Sequence, residues 1–202
     1  MSAILASGCH NSAKLHLIPL TYSRIDAKAP LVLSLQAQQC YFWVDERQQI
    51  RIAMTGQTAP LFDKESRRTF DVSLVLDGVP ANVARNYRVT RRGLRGTLSQ
   101  GDQHTRFASI RGIAAVWLDG PDRIHGRIRI STKHQKFSVL LGWHASRQVL
   151  VLGEFDAVRD QRRCEAILAR TEQGGMERDP FEPSRPGPTH ITGPPTAPPP
   201  QP

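Results

Sequence analysis

Basic side chains recur at alternate positions in one short segment of this chain, residues 123–133, which read RIHGRIRISTK. Because side chains alternate between the two faces of a β-strand, a strand here separates basic from apolar residues. The basic face comprises Arg123, His125, Arg127, Arg129 and Lys133, and the opposite face Ile124, Ile128 and Ile130. Arginine presents paired N–H donors that match phosphate geometry, so this pattern predicts a candidate polyanion-binding site.

The same strand has a second interpretation, as a solvated outer face. Like charges along one face repel each other. Charged side chains also protect an edge strand from pairing with other chains. Sheet-based RNA-binding proteins add exposed aromatic side chains for base stacking, and this face has none. We therefore favour the solvated edge over a nucleic-acid site and keep polyanion binding as the alternative.

The positive charge is concentrated in the same part of the chain. The formal net charge is +9 at pH 7, and residues 85–147 contain thirteen basic but only three acidic residues. This excess is compatible with a polyanionic partner. However, 22 of the 27 basic residues are arginines, a skew that a GC-rich genome also produces without selection for binding.

Patterns typical of catalysis or metal binding are absent from the sequence. It contains no GxSxG turn, no glycine-rich phosphate loop after a strand, and no HExxH. The seven histidines lack zinc-ligand spacing, and Asp119 and Asp122 fit a turn better than a catalytic pair. Glu154 lies within an apolar strand, where we expect it to face solvent rather than act as a buried acid. We expect a non-catalytic domain without metal or cofactor.

The N-terminal residues Leu5-Ala6-Ser7-Gly8-Cys9 carry a short motif. They resemble the lipobox of bacterial lipoproteins, in which small residues precede a cysteine that is cleaved and acylated. The eight residues before Cys9 contain no Lys or Arg and no apolar run of the roughly 7–15 residues that a signal peptide requires. The resemblance therefore implies lipidation at Cys9 and an envelope location only if translation starts further upstream. As written, the chain is expected in the cytoplasm.

The three cysteines, Cys9, Cys40 and Cys164, are too few for a fold built on disulfides. None lies in a CxxC pair, which would indicate redox chemistry or metal binding. One bridge, between Cys40 and Cys164, can form in an oxidising compartment and is the candidate disulfide.

Short apolar runs separated by turn residues predict a chain made mainly of β-strands. Residues 50–54 and 70–76 alternate with period two, as half-buried strands do. The segment 113–155 predicts a four-strand antiparallel meander, because its connections are too short for parallel crossovers. Its expected strands are 113–118, 123–132, 137–143 and 149–155. The last two are apolar at nearly every position, which predicts burial of both faces.

The C-terminal part of the chain contains one predicted helix, followed by a proline-rich tail. Asp160 can cap the helix, and Cys164, Ile167 and Leu168 form its apolar stripe. Ten of the 15 prolines lie in residues 174–202. Such a segment cannot bury enough apolar surface to offset its ordering entropy, so we expect it to be disordered.

Together these elements predict one all-β domain, either a mostly antiparallel sandwich or a partly closed barrel. We expect a flexible N-terminus over residues 1–13, the domain over 14–172 with its helix at about 160–172, and the disordered tail over 173–202. No window approaches the roughly 18 apolar residues of a transmembrane helix, which excludes an integral helical membrane protein. The predicted core positions are Phe42, Ile52, Leu74, Trp117, Ile128, Val139, Leu141, Val151 and Leu168.

The function is predicted only at the level of classes. The first class is a non-catalytic binding or structural module, such as an envelope lipoprotein that contacts another protein or an anionic polymer. The alternative is a cytoplasmic domain that binds a polyanion or nucleic acid through its basic strand. An enzyme of unrecognised type comes third, because no catalytic signature supports it.

Overall fold

The computed structural model describes residues 11–20, 32–58, 68–100, 103–134 and 148–173. Nine strands and one helix lie within these ranges. The strands are β1 Ala13–Pro19, β2 Leu33–Val44, β3 Gln49–Thr58, β4 Thr69–Asp77, β5 Arg85–Val89, β6 Leu94–Gln100, β7 Gln103–Leu118, β8 Arg123–His134 and β9 Gln148–Arg159. The helix, α1, spans Gln161–Gln173.

Eight of the strands form a closed antiparallel barrel. Their order around the wall is β1-β2-β3-β4-β6-β7-β8-β9, and pairing of β9 with β1 completes the circle. The ninth strand, β5, pairs with the second half of β7, beyond the residues that pair with β6. The predicted all-β, mostly antiparallel class with one C-terminal helix is confirmed. Of the two architectures considered, the chain adopts the barrel, whose closure removes most strand edges.

One junction in the wall departs from regular antiparallel pairing. β1 is shorter than its neighbours β2 and β9 and lies between them over only part of their length. Past the N-terminal end of β1, its two neighbours pair directly with each other and in parallel, at Tyr41↔Val158. The wall therefore changes from three strands to two at the point where β1 begins.

The interior of the barrel is filled by apolar side chains. The largest fully buried ones include Phe42, Phe70 and Phe107. Glycine makes room for one further aromatic ring: a Cβ on Gly126 of β8 would lie 2.2 Å from the ring of Phe155, its partner on β9. Eight-stranded barrels are just wide enough to be filled in this way, so the interior is a packed core.

Helix α1 covers the outer wall at β2, β3 and β4. Asp160 caps it as predicted, because its Oδ1 accepts a hydrogen bond from the backbone N–H of Arg163 at 2.9 Å. The apolar stripe of the helix packs on outward-facing residues of the wall and forms a second core cluster. This cluster consists of Tyr41, Ala53, Cys164, Ile167 and Leu168.

Two predictions for the segment 113–155 are wrong. β8 pairs directly with β9 along its length, so no strand lies between them and the four-strand meander is not formed. Residues 137–143, the expected third strand, lie outside the described residues. β9 is buried on one face only: Val149 and Val151 are buried, whereas Leu150 and Leu152 are half-buried on the outer wall. The apolar run of β9 is continuous because its outer face is partly covered, not because that face belongs to a second core.

Most of the predicted core positions are confirmed. Phe42, Ile52, Leu74, Ile128, Val151 and Leu168 are buried. Trp117 is not in the core, because it follows the inward-facing Val116 and therefore lies on the outer wall, partly exposed. Val139 and Leu141 lie outside the described residues, as do residues 1–10 and 174–202.

Candidate functional site

All five basic residues of the predicted polyanion site lie on β8, and they alternate with inward-facing residues as expected. The three isoleucines of this strand are buried in the barrel. Arg127 and Arg129 are exposed, whereas Arg123, His125 and Lys133 are partly exposed. β8 is not an edge strand, however, because it pairs with β7 on one side and β9 on the other. Its interpretation as a protected edge is therefore wrong.

Acidic side chains occupy one end of this basic row. Arg123 Nε lies 3.5 Å from Asp156 Oδ1 of β9. His125 contacts two carboxylates: its Nε2 is 2.9 Å from Asp119 Oδ2 and its Nδ1 is 3.7 Å from Asp156 Oδ2. Sequence reasoning missed the β9 contact because these strands become neighbours only in the folded barrel. This end of the row is therefore locally compensated.

Glu154 lies on the outer wall as expected. Its side chain is 70% exposed, and its Oε2 is 4.0 Å from Nε of Arg127, which is 74% exposed. An ion pair this exposed is screened by solvent and contributes little to stability. The alternative that we considered for Glu154, a buried acid, is wrong.

Arg129 differs from the preceding basic residues of β8 because it faces no acid. Its partners across the neighbouring strands are Ile113 of β7 and Leu152 of β9. Arg88 of β5 lies on the other side of Ile113, and Arg111 lies two residues before Ile113 on the same outer face. We call Arg88, Arg111 and Arg129, with Ile113 between them, the basic cluster. Within the described ranges, these three arginines have no ion pair or hydrogen bond from their side chains.

The acid nearest to the basic cluster in the register, Glu154 of β9, pairs with Arg127 rather than with Arg129. β5, β7 and β8, the strands that carry it, contain neither Asp nor Glu. Ile113 is 55% exposed, which is unusual for a large apolar side chain in this domain. Three guanidinium groups around an apolar contact can bind oxyanions from several directions while the isoleucine excludes water. Sequence reasoning noted the basic excess here but could not place β5 beside β7.

A shallow groove of about 580 Å³ opens on the outer wall at the junction where β1 begins. Charges of both signs line it, from Arg127 of β8, Glu154 of β9 and Lys14 of β1. These three residues are successive partners across the strands, and Gln36 of β2 continues the row. Donors and acceptors therefore alternate across four adjacent strands.

An aromatic pair forms one end of this groove. The rings of Trp117 and His125 stack with their centroids 5.9 Å apart and an interplanar angle of 24°. Beside them, Asp156 Oδ1 is shielded from solvent and has no hydrogen-bond partner among the described residues, although it lies 3.5 Å from Arg123 Nε. The groove thus combines an ordered aromatic surface with the carboxylates of β9. Sequence reasoning missed it because Trp117 was assigned to the core.

Cys40 and Cys164, the candidate disulfide pair, are free thiols, so this bridge is not formed in the structure. Cys40 belongs to the barrel interior, whereas Cys164 lies outside the wall beneath α1. Burial raises the pKa of both thiols, that of Cys164 to about 12. Both are therefore protonated packing residues at neutral pH rather than nucleophiles. Cys9, the candidate lipidation site, lies outside the described residues.

No group of three or more His, Cys, Asp or Glu side chains in the described part of the chain could hold a metal ion. Among the same residues, no helix has the length and apolar character needed to cross a bilayer. No protein-family model, curated protein or solved structure matches this chain significantly.

Proposed function

We propose that this protein is a non-catalytic binding domain that docks on polyanions through the basic cluster. The observation that supports this function is the arrangement of Arg88, Arg111 and Arg129 around the exposed Ile113, on strands without acidic residues. Arginine binds phosphate, sulfate or carboxylate oxygens through paired hydrogen bonds. The ligand class is therefore a chain or surface that repeats such groups.

The contrast along β8 supports the same location. Arg123 and His125 already contact carboxylates, so a polyanion would have to displace these contacts and would meet repulsion from Asp156. Arg129 requires no such displacement. Of the five basic residues predicted from sequence, we therefore assign Arg129 to the binding surface and add Arg88 and Arg111 from neighbouring strands.

The apolar centre of the basic cluster also favours binding of a polymer. Ile113 has its register partners Arg88 and Arg129 on either side, so a bound polymer would cover all three side chains together. Removing water from around a guanidinium strengthens its interaction with an anion, because the local dielectric constant falls. Exposed isoleucine and arginine thus act together in the proposed site.

Binding of labelled long-chain polyphosphate, measured by fluorescence anisotropy over a range of salt concentrations, tests this function. The double variant Arg88→Gln/Arg129→Gln should weaken binding at least about tenfold. It should also reduce the salt slope by about two, because about one counterion is released for each phosphate contact. Glutamine keeps part of the side-chain length and removes only the charge.

The matched control is Arg47→Gln/Arg162→Gln, which removes the same charge from exposed positions around the helix side of the barrel. β3, beneath the helix, lies four strands from β8 in either direction. This control should bind polyphosphate nearly as well as the wild type. Equal loss in both double variants would show that diffuse charge, rather than the basic cluster, binds the polymer. Absence of binding at low salt would contradict the proposal outright.

A further inference from the structure

We propose that the groove at the start of β1 is a second binding site, and that its ligand is a neutral oligosaccharide. The groove is separate from the basic cluster in its charge. Lys14 and Arg127 are matched by Glu154 and Asp156, so the lining carries balanced charge. A polyanion gains nothing from such a surface, whereas an uncharged ligand rich in hydroxyl groups can use both signs.

The spacing of the polar groups fits a polyhydroxylated ligand. Arg127, Glu154 and Lys14 lie on three adjacent strands in register, and Gln36 lies on the fourth. Neighbouring strands are about 4.8 Å apart, so a donor or acceptor recurs at roughly the length of one sugar ring. A hydroxyl group both donates and accepts hydrogen bonds, which allows one chain of sugars to satisfy carboxylates and cations alternately.

The aromatic end of the groove supplies the second requirement for sugar binding. Trp117 lines the groove and is only partly buried, and its ring orientation is held by stacking on His125. His125 is itself held by its 2.9 Å contact with Asp119. A rigid indole offers a large apolar surface with one polar N–H, which suits the apolar C–H face of a sugar ring. The half-buried Asp156 also lines the groove beside it.

A peptide fits this groove less well. Extended peptides commonly bind by adding a strand to an exposed sheet edge, where main-chain hydrogen bonds supply the affinity. Half of the lining residues lie on β8 and β9, which are each paired on both sides. These two strands offer side chains for recognition, and the side chains differ in hydrogen-bonding character. The groove volume of about 580 Å³ lies within the range typical of small-ligand sites.

Isothermal titration calorimetry of the full chain with four neutral tetrasaccharides tests this inference: cellotetraose, maltotetraose, chitotetraose and mannotetraose. At least one should bind saturably, and raising the salt concentration should change its affinity less than twofold, because the ligand is uncharged. Trp117→Ala should weaken that binding at least about tenfold, because the aromatic ring on which the sugar stacks is removed. Trp43→Phe, a change on the helix side, should leave it unchanged.

A second variant keeps the test independent of folding effects at Trp117. Gln36 is exposed, so Gln36→Ala should leave stability unchanged while weakening sugar binding several-fold. The double variant Arg88→Gln/Arg129→Gln should bind sugar like the wild type, which separates this site from the polyanion site. The inference fails if no tetrasaccharide binds, if Trp117→Ala and Gln36→Ala both bind normally, or if a neutral Gly-Ser peptide binds more tightly than every sugar.

Discussion

Outward side chains are buried on one face of the barrel wall and exposed on the opposite face. On the helix side, outward residues of β2–β4 such as Ala53 and Ser73 are small and buried beneath α1. On the opposite side, outward residues of β7–β9 such as Ile113 and Arg129 remain exposed, and we call this side the bare face. Both faces share one packed interior. The size and charge of the outward side chains therefore decide whether a face becomes a second core or a binding surface.

Arginine shows the difference between the two faces most clearly. On the helix side, Arg170 donates two hydrogen bonds to the carboxylate of Asp71, at 3.1 and 3.0 Å, and so ties α1 to β4. On the bare face, Arg129 has no carboxylate to bind. The chain supplies a carboxylate for Arg170 and leaves Arg129 without one. This contrast teaches that an arginine count alone says little until the partners of each guanidinium are known.

The largest effect is expected for the interior, on which both faces depend. Phe42 is completely buried in the barrel, so Phe42→Ala should lower the free energy of unfolding by about 3–5 kcal/mol through lost burial and cavity formation. Urea denaturation followed by circular dichroism measures this change. A cost below about 1 kcal/mol would show that the two faces do not share a packed core.

The next largest loss of stability is expected on the helix face. Ile167 of α1 is 2% exposed, and Ile167→Ala should cost about 2–3 kcal/mol, the lower part of the usual range, because a surface helix can adjust to fill the gap. Urea denaturation of this variant and of Ile113→Ala compares the faces directly. Similar costs for the two isoleucines would contradict the division of the wall into a covered and a bare face.

Alkaline pH should weaken the helix face through Cys164. Its pKa is raised by burial from an ordinary 9.0 to about 12, so the folded protein retains a proton that the unfolded chain releases. This contribution is fully present below about pH 9 and is lost as the pH rises towards 12, by up to roughly 1.4 kcal/mol per pH unit. Denaturation curves above pH 9 should therefore be less pH-dependent for Cys164→Ala. Identical slopes would show that the thiol does not titrate as its burial implies.

The smallest effect on stability is expected on the bare face. Ile113 is 55% exposed, and Ile113→Ala should change the free energy of unfolding by no more than about 0.5 kcal/mol. The same change should weaken polyphosphate binding several-fold, because the apolar contact at the centre of the basic cluster is lost. Stability and binding measured on one sample separate these effects. A large loss of stability would mean that Ile113 packs against the domain rather than serving as a contact surface.

Sequence patterns with a short range predicted the local structure well. The alternation in residues 123–133 placed Ile128 inside and Arg129 outside, and Asp160 marked the start of the helix. The same reasoning failed for Trp117 and for the outer face of β9. An apolar residue on a barrel wall can face the interior or a partly covered exterior, and alternation alone does not distinguish these two environments.

The candidate sites depended on pairings between distant segments. Arg129 was identified from its own strand, but its neighbour Arg88 lies on β5, which reaches it only across β7. Glu154 and Lys14 likewise meet through the pairing of the first and last strands. No local pattern encodes either neighbourhood: the first depends on pairing of β7 with both β5 and β8, and the second on closure of the barrel by β1 and β9.

By itself, the sequence determined the strand-rich class, the single capped helix and the face of β8 on which the arginines lie. These features follow from side-chain periodicity and capping, which act over a few residues. Only the tertiary structure decided which arginines meet carboxylates and which remain without partners. Charge compensation depends on distances between strands, and those distances are set when β9 pairs with both β1 and β8 and closes the barrel.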